Sequence, residues 1–279
     1  MTADVTPTVT WSSLASAWDT SGADWNTPVA ERLVELAELR PGGAVLDVGC
    51  GAGAATFAAA RVIGSSGLAV GVDSAGAMVT RAKYDARDRG IKNVLFAVDD
   101  AMQLSYSART FNAVISSMVV PYLPHPAKAL HGWAHLLVGG GTLAFSWGMR
   151  DDPAWQPVLE AVDRFIPSEH AGWTKRKRWA ISEAEALPPP EMSVSTVTEP
   201  VTTRYQHADH FWASSWTQAP ARIWSQIPEA RRDEARAAAF GVLAGLAARD
   251  GSLERTRTVC YTVARLASPA TVPVQANGD

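Results

Sequence analysis

The chain reads as a doubly wound α/β fold carrying helical flanks, and three observations predict this. Short apolar runs at Val45-Leu46, Leu68 to Val72, Val94 to Val98 and Phe111 to Ser117 alternate with longer segments of helical period, the rhythm of parallel strands joined by crossover helices. The run Val45-Leu46-Asp47-Val48 passes into Gly49-Cys50-Gly51-Ala52-Gly53 and then Ala54 to Arg61, so a strand buried on both faces enters a glycine turn and a helix. Three successive strands end in acids, Asp47, Asp73 and Asp100, and ligands of such sheets sit beyond the carboxyl ends of the strands.

Residues 1–10 are Thr- and Pro-containing and read as loose. Trp11, Leu14, Ala17 and Trp18 recur at helical spacing, and Pro28 to Ala37 is an amphipathic helix ended by Pro41-Gly42-Gly43. After the glycine turn and its helix, Leu68 to Val72 leads to Asp73. A helix over Ala75 to Arg89 follows and stops at Gly90. Val94 to Val98 is the third strand, Phe111 to Ser117 the fourth, Pro126 to Leu137 the next helix and Thr142 to Trp147 the fifth strand. Asp152 to Phe165 reads as a helix over the pocket, followed by the basic run Lys175-Arg176-Lys177-Arg178 between Trp173 and Trp179 and by Pro188-Pro189-Pro190. That basic run is read as a solvated loop, with recruitment of an acidic substrate or carrier as the alternative. Ser193 begins the sixth strand. Tyr205 to Trp216 then holds Tyr205, His207, Asp209, His210, Phe211, Trp212 and Trp216, an aromatic wall with titratable tips. Arg222 to Ala248 has helical spacing, Thr256 to Arg265 is a last strand, and the tail after Ser268 reads as disordered.

With 279 residues, 47% of them hydrophobic, the chain can bury one large core with an elaborated cap. A net charge of −3 without a long basic block gives no electrostatic case for nucleic acid or an anionic membrane. Cys50 and Cys260 make no disulfide framework and read as buried thiols in a reducing compartment. No apolar run approaches the length of a spanning helix, and no Lys or Arg precedes Arg32. The expectation is a cytoplasmic protein, monomer or homodimer, with a small-molecule substrate.

The spacing Gly49-x-Gly51-x-x-Ala54 also satisfies the loose dinucleotide fingerprint, in which a helix N-terminus receives a pyrophosphate. Charge separates the readings. An edge lined by Asp47, Asp73 and Asp100 disfavours a pyrophosphate, and it suits a ligand offering an ammonium, two ribose hydroxyls and an adenine amino group. A nicotinamide oxidoreductase is correspondingly disfavoured.

From about residue 40 to 150 the chain resembles the class I S-adenosylmethionine-dependent methyltransferases, in the branch that includes small-molecule and quinone-type enzymes. The matching pieces are Val45 to Gly53, Gly71-Val72-Asp73-Ser74 with Met78, Asp100-Ala101, Phe111 to Ser117, and Leu137-Val138-Gly139-Gly140-Gly141. The resemblance implies a Rossmann-like seven-stranded sheet, its last strand antiparallel between the fifth and sixth, plus a helical lid. It implies S-adenosylmethionine as cofactor, S-adenosylhomocysteine as product, and a site at Asp47, Gly49, Gly51, Asp73, Ser74, Met78, Asp100, Ala101 and Ser116. Asp73 would take the ribose hydroxyls, with helix capping as its plainer alternative. Asp100, or else Asp99, would take the adenine. The chain departs from relatives at Asn112, Gly132, His135 and Gly139, all structural supports. The division that follows is an N-terminal helical cap (1–40), cofactor core (41–150), lid insertion (151–190), remainder of the core with substrate-side helices (191–268) and tail (269–279).

Methyl transfer asks chiefly for alignment of nucleophile, methyl and sulfur, and no catalytic residue is assigned. Base candidates are His207, His210 and Tyr122, while His125 reads as local structure. His131 and His135 stand at i,i+4 without an acid between them, and His207, Asp209 and His210 match no metal motif, so no metal is expected. The expected activity is methylation of a small, largely apolar or aromatic metabolite of secondary metabolism. The alternative is a cofactor-retaining cyclase or binding protein on the same fold. The flanks at Trp11 to Trp25, Trp155 to Trp179 and Tyr205 to Trp216 are expected to meet above the sheet and enclose the acceptor, with Trp18, Phe211 and Trp212 facing it.

Overall fold

The computed structural model describes residues 9–18, 25–167 and 179–267; residues 1–8, Trp173, the basic run Lys175 to Arg178 and the tail from Ser268 lie outside them. Seven strands, β1 (Ala44–Val48), β2 (Leu68–Asp73), β3 (Val94–Val98), β4 (Phe111–Ser117), β5 (Leu137–Asp151), β6 (Ser193–Tyr205) and β7 (Leu253–Arg265), form one sheet in the order β3-β2-β1-β4-β5-β7-β6. The first five are parallel, and β7 runs antiparallel to both β5 and β6. This is the Rossmann-like order expected, with the antiparallel last strand between the fifth and sixth.

Strand alternation separates two apolar layers. Val45 of β1 packs against α2 (Asn26–Ala37), α3 (Ala54–Ile63) and α4 (Gly76–Asp88), joining Val29, Leu33, Ala59 and Val79. Leu46 and Val48 face the other way, toward Leu130 and Trp133 of α5 (Pro126–His135). Helix α2 buries Val29, Ala30, Leu33, Val34 and Ala37, the stripe its period demands. Arg32 pins it to β6 by donating from Nε and Nη2 to the Glu199 carboxylate at 2.6 to 3.1 Å. Asn112 is a structural support: its Oδ1 accepts from Ala44 N at 2.8 Å.

One expectation needed correction. The fifth strand, read as Thr142 to Trp147, runs from Leu137 to Asp151 because it pairs with the long β7 as far as Arg257. The helix of the 151–190 segment packs with those of the 191–268 segment. Helices α6 (Gln156–Asp163), α8 (Ala208–Thr217), α9 (Ala221–Trp224) and α10 (Arg232–Leu243) share a third core around Trp155, Val158, Tyr205, Phe211 and Trp224. The short helices α1 (Trp11–Leu14) and α7 (Ile181–Glu185) complete the described α-helices; α1 sits with Leu14 and Ala15 against Met78 and Ala221.

Candidate active site

The glycine turn is fastened to its neighbouring strand. Gly49 N and Cys50 N both donate to Val72 O at 2.8 and 2.9 Å, and Gly51 N donates to Asp73 Oδ2 at 2.9 Å. The other Asp73 oxygen accepts from Ala75 N at 2.8 Å, so one carboxylate bridges the glycine turn to the start of α4, whose N-cap Ala75 takes no side-chain hydrogen bond. Gly49 and Gly51 hold φ of 74° and 53°, left-handed backbone that glycine adopts without strain. They differ in their surroundings. A Cβ on Gly49 would stand 2.4 Å from Val119 Cγ2, whereas one on Gly51 would meet nothing within 4 Å. Gly49→Ala is therefore expected to lower the melting temperature markedly. Gly51→Ala should leave a folded protein whose affinity for the ligand the resemblance implies, S-adenosylhomocysteine, drops at least tenfold, and a folded Gly51→Ala protein binding normally by calorimetry would remove Gly51 from the site.

Asp47 lies beneath the turn, 1% exposed. Thr56 Oγ1 donates to its Oδ2 at 2.6 Å, and its Oδ1 has no hydrogen-bond partner among the described residues. Burial pushes its pKa up to about 7, the Thr56 hydrogen bond opposing and the Asp73 charge adding. The folded state thus holds the proton more tightly than the unfolded chain. The associated stability is complete below the unfolded carboxylate value and is lost as pH rises through the folded one. Wild-type protein is expected to lose about 2 to 3 kcal/mol between pH 5 and 8 from this group. Asp47→Asn should lack that slope, and parallel denaturant titrations of the two proteins at pH 5, 6, 7 and 8 that superimpose in slope would refute the assignment.

Beyond β3, Asp99 accepts from Asp100 N and Ser105 N at 2.8 and 3.1 Å. Asp100 Oδ1 accepts from Met102 N at 2.8 Å. Trp133 Nε1 donates to Ala101 O at 2.8 Å, holding this loop onto α5. Asp99 spends both oxygens on the loop, while no hydrogen bond engages Asp100 Oδ2 among the described residues. Above the turn lies a cavity of about 750 Å³, large enough for a drug-sized ligand. Gly49, Gly51, Asp73, Ser74, Met78, Asp99, Asp100 and Ala101 line one end of it.

A methyltransferase-domain family model matches residues 39–169. Aklanonic acid methyltransferase DauC of Streptomyces sp. (strain C5) is 38% identical over 156 residues, 56% of this chain and 67% of that protein. This chain belongs to the class I S-adenosylmethionine-dependent methyltransferases, in their small-molecule branch. Nocamycin O-methyltransferase of Saccharothrix syringae is 35% identical over 133 residues, 48% of each chain. The fold is shared with YcgJ of Bacillus subtilis, at a TM-score of 0.57 and 16% identity over 87% of this chain and 99% of that one. It is shared too with the cyclase SpnF, at 0.53 and 20% over 90% and 87%. Both likenesses concern the fold alone.

The methyltransferase uses S-adenosylmethionine, and its site departs from the sequence reading in three places. Ser116 is 0% exposed and donates to Val48 O at 2.8 Å, inside the sheet; strand alternation gives the cavity to Ser117 instead. Asp47 does not line the cavity, because the turn covers it. Phe211 and Trp212 do not line it either. Phe211, 1% exposed, packs in the cap core against Trp155 and Tyr205 with ring centroids 5.0 and 5.4 Å apart, and Trp212 lies on Trp224 at 4.9 Å.

The acceptor side is built by other rings. Trp11, Trp18, Trp25, Tyr122, Trp147 and Trp179 all line the cavity; Trp11 meets Tyr122 edge-on at 5.7 Å, and Trp147 meets Trp179 at 5.8 Å. Of the base candidates only Tyr122 is there. His207 caps α8 by accepting from His210 N at 3.2 Å, and His210 accepts from Gln206 N at 3.1 Å, so both are tied to local backbone in the cap. His125 stands at the N-cap of α5. Among the described residues no cluster of metal-ligating side chains occurs and no helix is long and apolar enough to cross a membrane. The residues missed from sequence are Arg150, Asp151, Arg255 and Arg257, at the cavity's far end. The signal was present in β7 as two arginines at i,i+2 beside the apolar run Val259 to Ala264, but which face they share depends on register.

Proposed function

We propose that this methyltransferase methylates a small, largely apolar, aromatic metabolite of secondary metabolism, held over the glycine turn by a wall of indoles. The observation that carries this reading is the cavity's composition: five Trp and one Tyr ring line it together with the acids. Flat rings offer large contact area and edge or face stacking to an aromatic acceptor. The relatives named for aklanonic acid and nocamycin support it.

The donor set fits the cofactor on three counts: an orphaned carboxylate oxygen at Asp47, open space where Gly51 lacks a Cβ, and acids beyond β2 and β3. In this reading Asp73 accepts from the ribose hydroxyls, Asp100 from the adenine amino group, and Met78, Ser74 and Ala101 bound the nucleoside. The backbone of Gly49 and Gly51 approaches the amino acid part, and Asp47 supplies negative potential under its ammonium. When bound, S-adenosylmethionine supplies an electrophilic methyl on a neutral leaving thioether. The chain's own task is to align the acceptor and keep water out, which the rings of Trp11, Trp18, Tyr122 and Trp179 do.

The test is transfer of label from methyl-labelled cofactor by purified protein to a panel of polycyclic aromatic phenols and acids, with aliphatic alcohols and acids of equal carbon number alongside. The expected result is label in the aromatic products alone. Equal labelling of the aliphatic set would overturn the aromatic reading.

A further inference from the structure

The cavity end opposite the acids carries positive charge that the cofactor roles leave unused. Arg255 and Arg257 lie two apart on β7 and so share a face. Arg255, 7% exposed, forks onto Asp151, Nε donating to Oδ1 at 2.9 Å and Nη2 to Oδ2. Arg257 stands directly across from Asp151 in the β5–β7 register, yet that carboxylate is committed to Arg255. Burial alone would raise Asp151; the Arg255 hydrogen bonds and charge, with Arg257 beyond, hold it below its usual range. One negative charge therefore serves two cations, Arg255 buried and Arg257 half-buried.

Arg257 is positioned by two neighbours. Its Cζ sits 3.5 Å from the centroid of the Trp25 ring, and Nη2 donates to Thr203 Oγ1 at 2.8 Å. Its Nε is shielded from solvent and has no hydrogen-bond partner, and no carboxylate pairs with it among the described residues. Burial and repulsion from Arg255 push it down to about 10, still charged at neutral pH. Arg150 lines the same end. The cavity is thus polarised, with Asp73, Asp99 and Asp100 at one end and three arginines against Asp151 at the other. A guanidinium fixed on an aromatic face, desolvated and short of an anion is costly unless a ligand completes it, and its fork geometry matches a carboxylate.

We propose that Arg257 is the specificity residue for an acidic substituent on the methyl acceptor, a carboxylate or a comparably acidic enol or phenol. Trp25 and Thr203 orient its guanidinium, and the Asp151–Arg255 pair keeps the nearest carboxylate from quenching it. The inference rests on the reading of a small aromatic acceptor and adds its charge. The two ends then bind opposite charges, cationic cofactor on the aspartates and anionic acceptor toward the arginines.

The experiment is calorimetry on the full chain saturated with S-adenosylhomocysteine, using 2-naphthoate, 2-naphthamide and cyclohexanecarboxylate as probes. Wild-type protein is expected to bind the naphthoate at least tenfold more tightly than the amide. Arg257→Gln should erase that preference while the S-adenosylhomocysteine Kd stays within about twofold. Arg257→Lys, which keeps the charge and loses the fork, should retain part of the preference, and it carries the test if Arg257→Gln fails to fold. Equal binding of acid and amide, undetectable binding of the naphthoate, or a preference unchanged in the folded variants would overturn the inference. Cyclohexanecarboxylate binding as tightly as naphthoate, with the same dependence on Arg257, would support the acid site and sink the aromatic reading instead.

Discussion

Asp73→Ala is expected to weaken S-adenosylhomocysteine binding by at least a hundredfold and to loosen the glycine turn in the same stroke. In the structure the carboxylate accepts from Gly51 N and Ala75 N, at 2.9 and 2.8 Å, while lining the cavity. In the proposed complex its remaining lone pairs take the ribose hydroxyls. A charged hydrogen bond contributes about 1.5 to 3 kcal/mol, and tenfold in affinity is about 1.4 kcal/mol, so losing one or two such bonds accounts for the figure before any loosening is counted. Asp73→Asn separates the two effects. Its amide oxygen can still accept from one backbone N–H, so the turn should survive better than in the alanine variant, while the amide lacks the charge that strengthens the ribose bonds. Calorimetry with S-adenosylhomocysteine, beside thermal melts, reads both. An alanine variant that melts lower yet binds normally would leave Asp73 a purely structural residue.

The sheet was legible in the sequence, and so was the placing of the candidate cofactor residues along its edge, because their signals are local. Val45-Leu46 and Val48 could only be a strand buried on both faces, and the glycines that followed needed left-handed backbone within a few residues. Asp73 and Asp100 needed nothing more than the position of strand ends. The failures share a different character. Ser116 and Ser117 are one residue apart, and the parity that sends one into the sheet and the other to the cavity depends on pairing with β1 and β5. Arg257 acquires meaning from its position across from Asp151, more than a hundred residues earlier, and on the ring of Trp25 beyond that. The length of β5 was hidden for the same reason, its extension being specified by its partner β7. Aromatic residues mislead most: a ring in a cavity wall and a ring in a core have the same composition and helical spacing, and only packing distinguishes Trp18 from Phe211.

Phe211→Ala is accordingly expected to cost about 3 to 5 kcal/mol of stability and to leave cofactor affinity in the folded fraction unchanged. The ring is 1% exposed and meets Trp155, Tyr205 and Trp224 with centroids 5.0, 5.4 and 6.0 Å away, so its truncation opens a cavity at the centre of the cap core. That core joins α6, α8, α9 and α10 to the ends of β6 and β7, and Trp155 also donates from Nε1 to Glu254 O at 2.9 Å. Arg255 stacks on Trp155 with its Cζ 5.3 Å from the ring centroid. The loss should therefore spread from the cap toward the Asp151–Arg255 pair, and acceptor affinity should fall only as the cap melts. Denaturant unfolding followed by tryptophan fluorescence, which reports the indoles of the cap, is the direct measurement. A variant of near-normal stability whose turnover or acceptor affinity has collapsed would return Phe211 to the acceptor wall and contradict the packing described here.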